Sequence, residues 1–436
     1  MIPKIIWMVW CDFDNKLDGV LNETLEFYKN QVIKIHNKRD WKCNIITKWS
    51  DLVQLLYDDK NVLDIIQNKY INAPNKSDVV RFYLLNKYGG FWIDFSTFLL
   101  TSLDVYYKYD ANFICIYTPS VFIEQWIIKP FSFAFHNFNF KKNSRLTKMQ
   151  NKFIKRKGIY KNYPFLTENF FIGSVPNHYI TNNTFKQLTN FWKYALPKIT
   201  DKDTLCFELN KYNHVLMSDI FDMNFVNTVI YNKFKDEHSV KEKKQLLDDM
   251  YASCGYYFNY LQIYKALVEY ISKTKIKIIQ PTNKSKTFSK EIKDYDDICF
   301  TKDGIDSCKN VIISTKTDKI LLVSAMHDRT IKWSDIPENR TSLENTYLEK
   351  KINSYKDVNK FINKMVNNNI YQIKFSSWTR NSKIIPLLMQ KINKNKTNKN
   401  KTKKTKQINI FNRAYNRDAV YVKNKTRKRK LKNYKV

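Results

Sequence analysis

Glycine is scarce in this chain, 7 among 436 residues, and proline is little commoner at 10. Collagen-like and low-complexity linker classes, which depend on those residues, are excluded. Seven cysteines (Cys11, Cys43, Cys115, Cys206, Cys254, Cys299 and Cys308) are scattered without one Cys-x-x-Cys pair. That spacing argues against a disulfide framework and against the common zinc modules, and it predicts reduced thiols in a cytoplasmic setting. No run of about 20 uncharged apolar residues is present, so no membrane span is expected. The opening Met1-Ile2-Pro3-Lys4 runs straight into an apolar stretch with no small-residue cleavage site, so no export signal is expected either. Acids are also in deficit, 41 against 75 Lys and Arg, for a net charge of +34.

What is present can build a core: 43% of residues are hydrophobic and 15% aromatic. That is too apolar for a disordered chain, and the length allows two or three domains. The positive charge is uneven. Lys391 to Val436 carries 18 basic residues against the single acid Asp418, so half of the excess sits in the tail. Periodicity stops there, and the tail reads as a disordered extension with three open roles: a solvated segment, a site for an anionic partner (nucleic acid or membrane), or a basic address at Arg427 to Lys430. Lys and Asn are heavily used throughout, which weakens any argument from basic charge alone.

Ile2 to Val9 reads as a buried strand and Asn22 to Ile35 as a helix. Lys42 to Thr47 reads as a second strand, and Asp51 to Tyr57 and Val62 to Lys69 as short helices. This alternation predicts an α/β domain with mostly parallel strands. Residues 112 to 275 mix strands and helices, Ile276 to Val323 is rich in strand-forming residues, and Ser354 to Asn368 looks helical.

The informative stretch is Lys76 to Leu100, KSDVVRFYLLNKYGGFWIDFSTFLL. Ser77 to Tyr88 has a helical pattern, with Ser77 as the expected N-cap and Gly89-Gly90 as the stop. An adjacent glycine pair in so glycine-poor a chain marks backbone angles closed to other residues. Asp78 and Arg81, three apart, share a helix face. Phe91 to Ile93 reads as a strand that delivers Asp94 at its carboxyl end, where ligand sites lie in open α/β sheets. A carboxylate there, followed by Ser96 and Thr97, suits a hard cation that offsets a diphosphate leaving group. Arg81 could bond sugar hydroxyls or phosphate, and Asp78 could accept from sugar hydroxyls.

Ser77-Asp78-x-x-Arg81, Tyr88-Gly89-Gly90 and Phe91-Trp92-Ile93-Asp94 resemble the donor-site signature of the DXD-type sugar-binding-region glycosyltransferases. Within that group they look most like the capsular polysaccharide synthesis proteins. The opening IPKIIWMVW is similar to the family's first strand, which implies a base-stacking role for Trp7 or Trp10. Thr167 to Ile180 resembles a later segment that closes the donor site, which implies a contact from Asn169. The resemblance covers roughly residues 1 to 235. It implies an α/β, GT-A-like nucleotide-diphospho-sugar transferase fold, a Rossmann-like mixed sheet flanked by helices with a C-terminal α+β extension. It also implies a hexose moved from a UDP- or GDP-sugar to a glycan or glycoprotein acceptor, with retention. Catalytic roles fall on Asp94 and Arg81. Donor contacts fall on Trp7, Asp78, Arg81, Asp94 and Asn169, and metal contacts on Asp94 and Ser96, with Mn²⁺ or Mg²⁺ as cofactor. His327 and Trp378 are secondary candidates.

The expected division is a catalytic domain over 1–275, an acceptor-related extension over 276–390, and the basic tail over 391–436. The usual second acid of the motif is Ser96 here, and one carboxylate holds a cation less firmly than two. An inactive scaffold therefore stays open as an alternative, as does a nucleic-acid-binding protein driven by charge, although the folded part carries no nucleic-acid-binding signature.

Overall fold

The computed structural model describes residues 1–10, 19–21, 23–37, 39–119, 157–163, 165–221, 259–274, 277–279, 310–314, 318–323, 326–328, 362–363, 366–367 and 371–375. The described strands are β1 (Ile5–Val9), β2 (Lys42–Ile46), β3 (Gly90–Ile93), β4 (Thr97–Leu99), β5 (Phe113–Pro119), β6 (Phe165–Ser174), β7 (Lys277–Ile279), β8 (Val311–Ser314), β9 (Lys319–Val323), β10 (Met326–Asp328) and β11 (Gln372–Phe375). The described helices are α1 (Glu23–His36), α2 (Trp49–Leu56), α3 (Lys60–Gln67), α4 (Ala73–Tyr88), α5 (Tyr179–Ala195), α6 (Lys202–Ile220) and α7 (residues 259–273). They fall into two compact units. The first holds Met1–Asn22, Arg39–Phe95 and Tyr109–Ser324; the second holds Glu23–Lys38, Ser96–Lys108 and Ala325–Val436.

The first unit is built on an eight-stranded sheet in the order β2-β1-β3-β6-β5-β9-β8-β7. β1 is apolar along its length and buried at Ile6, Trp7 and Met8. It pairs in parallel with β2 on one side and β3 on the other. Parallel neighbours need a long crossover, and α2, α3 and α4 supply it between β2 and β3. Beyond β3 the sheet turns mixed: β6 is antiparallel to both β3 and β5, β5 is parallel to β9, and β8 and β7 continue antiparallel. The parallel stretch is thus shorter than the β-α-β-α alternation suggests, because β6 inserts between β3 and β5. This Rossmann-like mixed sheet with flanking helices is the one implied by the resemblance.

α4 is the central helix. It packs against α3, α5, β3 and β6, and its residues from Val79 to Leu85 are all buried. Two turns enclosed on every side leave no solvated face there to show an amphipathic stripe. It begins at Ala73, before the expected Ser77. The Asn72 side chain accepts from the Asn75 N–H at 3.0 Å, and Pro74 occupies the first turn. Asn-x-Pro outcompetes the later serine because it supplies both the cap and a preset φ. The expected stop at Gly89 is observed. Its φ is +65°, its amide returns to the Leu85 carbonyl at 3.0 Å, and Gly90 follows at φ +96°. A Cβ on Gly90 would lie 2.5 Å from the Ile5 carbonyl oxygen, so the strand could not otherwise enter the sheet beside β1.

The second unit gathers three segments distant in sequence. β10 pairs in parallel with β11, and β11 pairs antiparallel with β4. Tyr106 Oη donates to Gln372 Oε1 at 2.5 Å, and the Leu100 amide donates to the Tyr371 carbonyl at 2.7 Å. α1 joins them through Gln31, which donates to the Leu99 carbonyl, and through His36 Nε2, which accepts from the Leu103 amide at 3.1 Å. The rings of Phe27 and Phe98 stack at 5.8 Å. Among the described residues no helix is long and apolar enough to cross a membrane, and Cys43 and Cys115 are free thiols. The expected helix over Ser354 to Asn368 lies mostly outside the described residues, and the basic tail lies wholly outside them.

Candidate functional site

Two short elements bring three charged side chains of the first unit together. α4 carries Asp78 and Arg81 one turn apart, and β3 hands the chain to Asp94 at its carboxyl end. The Asp94 amide is fixed by the Phe170 carbonyl at 2.9 Å. Arg81 divides its guanidinium between the two acids. Nη1 lies 2.5 Å from Asp78 Oδ1 and Nη2 lies 3.0 Å from Asp94 Oδ1. The planar fork of arginine presents a separate N–H to each acid in one fixed geometry. The guanidinium carbon also sits 4.9 Å from the centre of the Trp92 ring, and the Trp92 indole N–H donates to Asp94 Oδ1 at 2.8 Å. Cation–π contact and hydrogen bond thus hold the same pair from one side chain.

Burial separates the roles of the three. The Arg81 and Asp78 side chains are 4% and 8% exposed, whereas Asp94 keeps 25%. Asp94 is therefore the carboxylate that faces outward, and Arg81 and Asp78 lie beneath it. Burial pushes the Asp78 carboxyl up to about 7, Arg81 pulls it back and the charge of Asp94 adds to the rise.

Asn169 reaches Asp78 because of an irregularity in β6. Across β5, Cys115 pairs with Ile172 while Ile116 pairs with Glu168, so residues 169 to 171 stand outside that ladder. Such bulges re-aim side chains next to functional sites. Here one bulge sends Asn169 Nδ2 to Asp78 Oδ1 at 2.9 Å and presents the Phe170 carbonyl to Asp94. The second oxygen of Asp78 accepts from Nδ2 of Asn259, at the start of α7. Sequence reasoning missed Asn259, which stands among Tyr256, Tyr257, Phe258 and Tyr260 with no local signal of a site.

The structure brings Asp78, Arg81, Asp94 and Asn169 together but leaves Trp7 apart. Trp7 is 4% exposed, packed in the core against Tyr88 at 5.5 Å, and its indole N–H donates to the Gly89 carbonyl at 2.8 Å. It secures the turn that leads into β3. The exposed aromatic on that edge is Trp10, 38% exposed and 5.9 Å from Phe95. Because β1 and β3 are parallel, Trp10 and Asp94 leave the sheet at the same edge. Ser96 falls in the second unit. His327 lies in β10, paired with Lys374; its side chain, like the whole of Trp378, lies outside the described residues.

Residues 22–113, which include Asp78, Arg81 and Asp94, match the family model of the glycosyltransferase sugar-binding region containing the DXD motif. Two solved structures are similar to the chain. The PaToxG glycosyltransferase is 14% identical, over 58% of this chain and 87% of that one, at a TM-score of 0.25. The catalytic domain of alpha-toxin from Clostridium novyi is 11% identical, over 67% of this chain and 76% of that one, at a TM-score of 0.27. No curated protein matches the chain.

Proposed function

We propose that this chain is a glycosyltransferase that moves a hexose from a UDP- or GDP-sugar to a glycan or glycoprotein acceptor, with retention of configuration. The observation that carries the reading is Asp94. It is a partly exposed carboxylate at the carboxyl end of a strand, held from below by Arg81 and Trp92, inside the segment that matches the sugar-binding family model. The capsular polysaccharide synthesis proteins remain the subgroup that the Lys76 to Leu100 pattern resembles most.

A divalent cation fits this donor set in one manner. Among the described residues no group of three His, Cys, Asp or Glu side chains could hold a metal. Mn²⁺ or Mg²⁺ would therefore take Asp94 and complete its shell from the diphosphate of the substrate. Bound there, the cation would offset the charge that develops on the departing diphosphate. The chain's own part is orientation. Arg81 fixes the direction of Asp94, Asp78 fixes Arg81, Asn169 fixes Asp78, and the exposed Trp10 beside Phe95 offers a face for the nucleotide base.

The test is release of nucleoside diphosphate from a panel of UDP- and GDP-sugars with Mn²⁺, wild type beside Asp94→Ala. Release from one donor that is lost in the variant is expected. No release from any donor, together with no donor-induced rise in melting temperature, would overturn the reading.

A further inference from the structure

We infer that Asn259 is a positioning residue of this site, fixing Asp78 and, through Asp78 and Arg81, the direction in which Asp94 faces. Its importance to the reaction rests on the glycosyltransferase reading above; its effect on geometry does not.

The last torsion of an aspartate side chain is broad and roughly two-fold, so a carboxylate held at one oxygen can still turn. Asp78 Oδ1 accepts from Arg81 Nη1 at 2.5 Å and from Asn169 Nδ2 at 2.9 Å. Among these contacts only Asn259 reaches Oδ2, and it does so from a helix 181 residues further along the chain. With both oxygens held from different elements, the plane of the carboxylate is set. The guanidinium that pairs with it is planar and rigid, so its second nitrogen is aimed as well. That nitrogen meets Asp94 at 3.0 Å.

Asn259 is itself well held. Its side chain is 1% exposed, and α7 buries Leu261, Ile263, Tyr264 and Leu267 in the core of the first unit. Tyr264 Oη donates to the Tyr163 carbonyl at 2.7 Å, so α7 has an anchor independent of Asn259. A residue that merely seated the helix would disturb Asp94 no more than Tyr264 does, and this sets the control.

The experiment uses the full chain labelled with 5-fluorotryptophan, with the Trp92 fluorine resonance assigned by Trp92→Phe. Asn259→Leu keeps the approximate volume and removes the donor; Tyr264→Phe removes the other anchor of α7. The expected result is a displaced Trp92 resonance in Asn259→Leu, unchanged in Tyr264→Phe. With it goes a roughly 10- to 100-fold lower kcat for diphosphate release at little-changed donor KM, the usual size of an effect passed through a supporting residue. Should Asn259→Leu fail to fold, Asn259→Ser, too short to reach Asp78, takes its place under the same criteria. An unmoved resonance overturns the inference, as does an unchanged kcat in an active protein whose resonance has moved. If the wild type turns over no nucleotide-sugar, the functional reading fails on its own, and the resonance still decides whether Asn259 fixes the group.

Discussion

Arg81 and Asp94 meet at 3.0 Å across thirteen residues of sequence, and the same guanidinium holds Asp78 at 2.5 Å with its other nitrogen. One cation thus serves two carboxylates, one buried and one turned outward. Its position beneath Asp94 makes it a support for the outward acid.

The first prediction concerns that sharing. In Arg81→Met the volume is kept and the charge is lost. Arg81 holds the Asp78 carboxyl down, so without it that carboxyl rises further above about 7 and takes up a proton at neutral pH. What is lost is the guanidinium's hydrogen bonds to the two acids, each worth about 1.5–3 kcal/mol for a charged group. Urea unfolding at pH 7 should show a loss of that order, growing as the pH rises further because the buried Asp78 then resists ionisation. Adding Asp78→Asn should abolish that growth. Wild-type stability in Arg81→Met at every pH would mean that these contacts contribute nothing to the fold.

Asp78 also predicts a pH dependence. Its carboxyl is raised to about 7 in the folded protein, chiefly by burial, while an unfolded aspartate titrates near 4. Between those values the native state binds more protons than the unfolded state, so stability falls as pH rises. The contribution is fully present below about pH 4 and lost above about pH 7. Urea midpoints measured from pH 5 to pH 8 should fall for the wild type, and Asp78→Asn should flatten that slope.

The helix, the glycine pair and the strand that deliver Asp94 were legible in the sequence because their signals are local. A glycine pair in a chain with 7 glycines stands out, and Asp78 and Arg81 lie one turn apart on any helix. What was not legible depends on pairing between distant segments. The bulge that aims Asn169 exists only where β5 and β6 run side by side, and the contact from Asn259 needs α7 folded back onto α4. Trp7 shows the converse difficulty. An aromatic in an apolar strand reads equally well as a binding platform or as core, and only its position between β2 and β3 puts it in the core. The start of α4 at Asn72-Ala73-Pro74 is equally local, since Asn72 caps the helix and Pro74 presets φ ahead of Ser77.

Gly90→Ala tests the turn. At φ +96° an alanine is strained by about 1–2 kcal/mol from the backbone alone. Its Cβ would also press on the Ile5 carbonyl, a backbone atom that cannot swing aside. Thermal unfolding should show a loss larger than the strain figure. Diphosphate release should fall with it, because β3 can no longer seat Asp94 beside Arg81. Wild-type stability in this variant would show that β1 and β3 separate freely, contrary to the register of Trp7 with Trp92.

Asp94→Asn separates the chemistry of the outward carboxylate from its packing. Asparagine keeps the volume and one oxygen to accept from Arg81 and Trp92, and the side chain is already 25% exposed. Stability should therefore stay within about 1 kcal/mol of wild type, the range of a partly exposed pair. Activity should not be spared. If Asp94 holds a cation against a departing diphosphate, replacing its charge with an amide should lower kcat by roughly 10²–10³, the scale of a lost charge-stabilising contact. Raising Mn²⁺ should recover part of that loss in the variant and none in Arg81→Met, whose defect lies in orientation. A wild-type enzyme indifferent both to a chelator and to added Mn²⁺ would exclude the cation while leaving Asp94 in the site, because the Arg81 and Trp92 contacts that hold it do not depend on a metal.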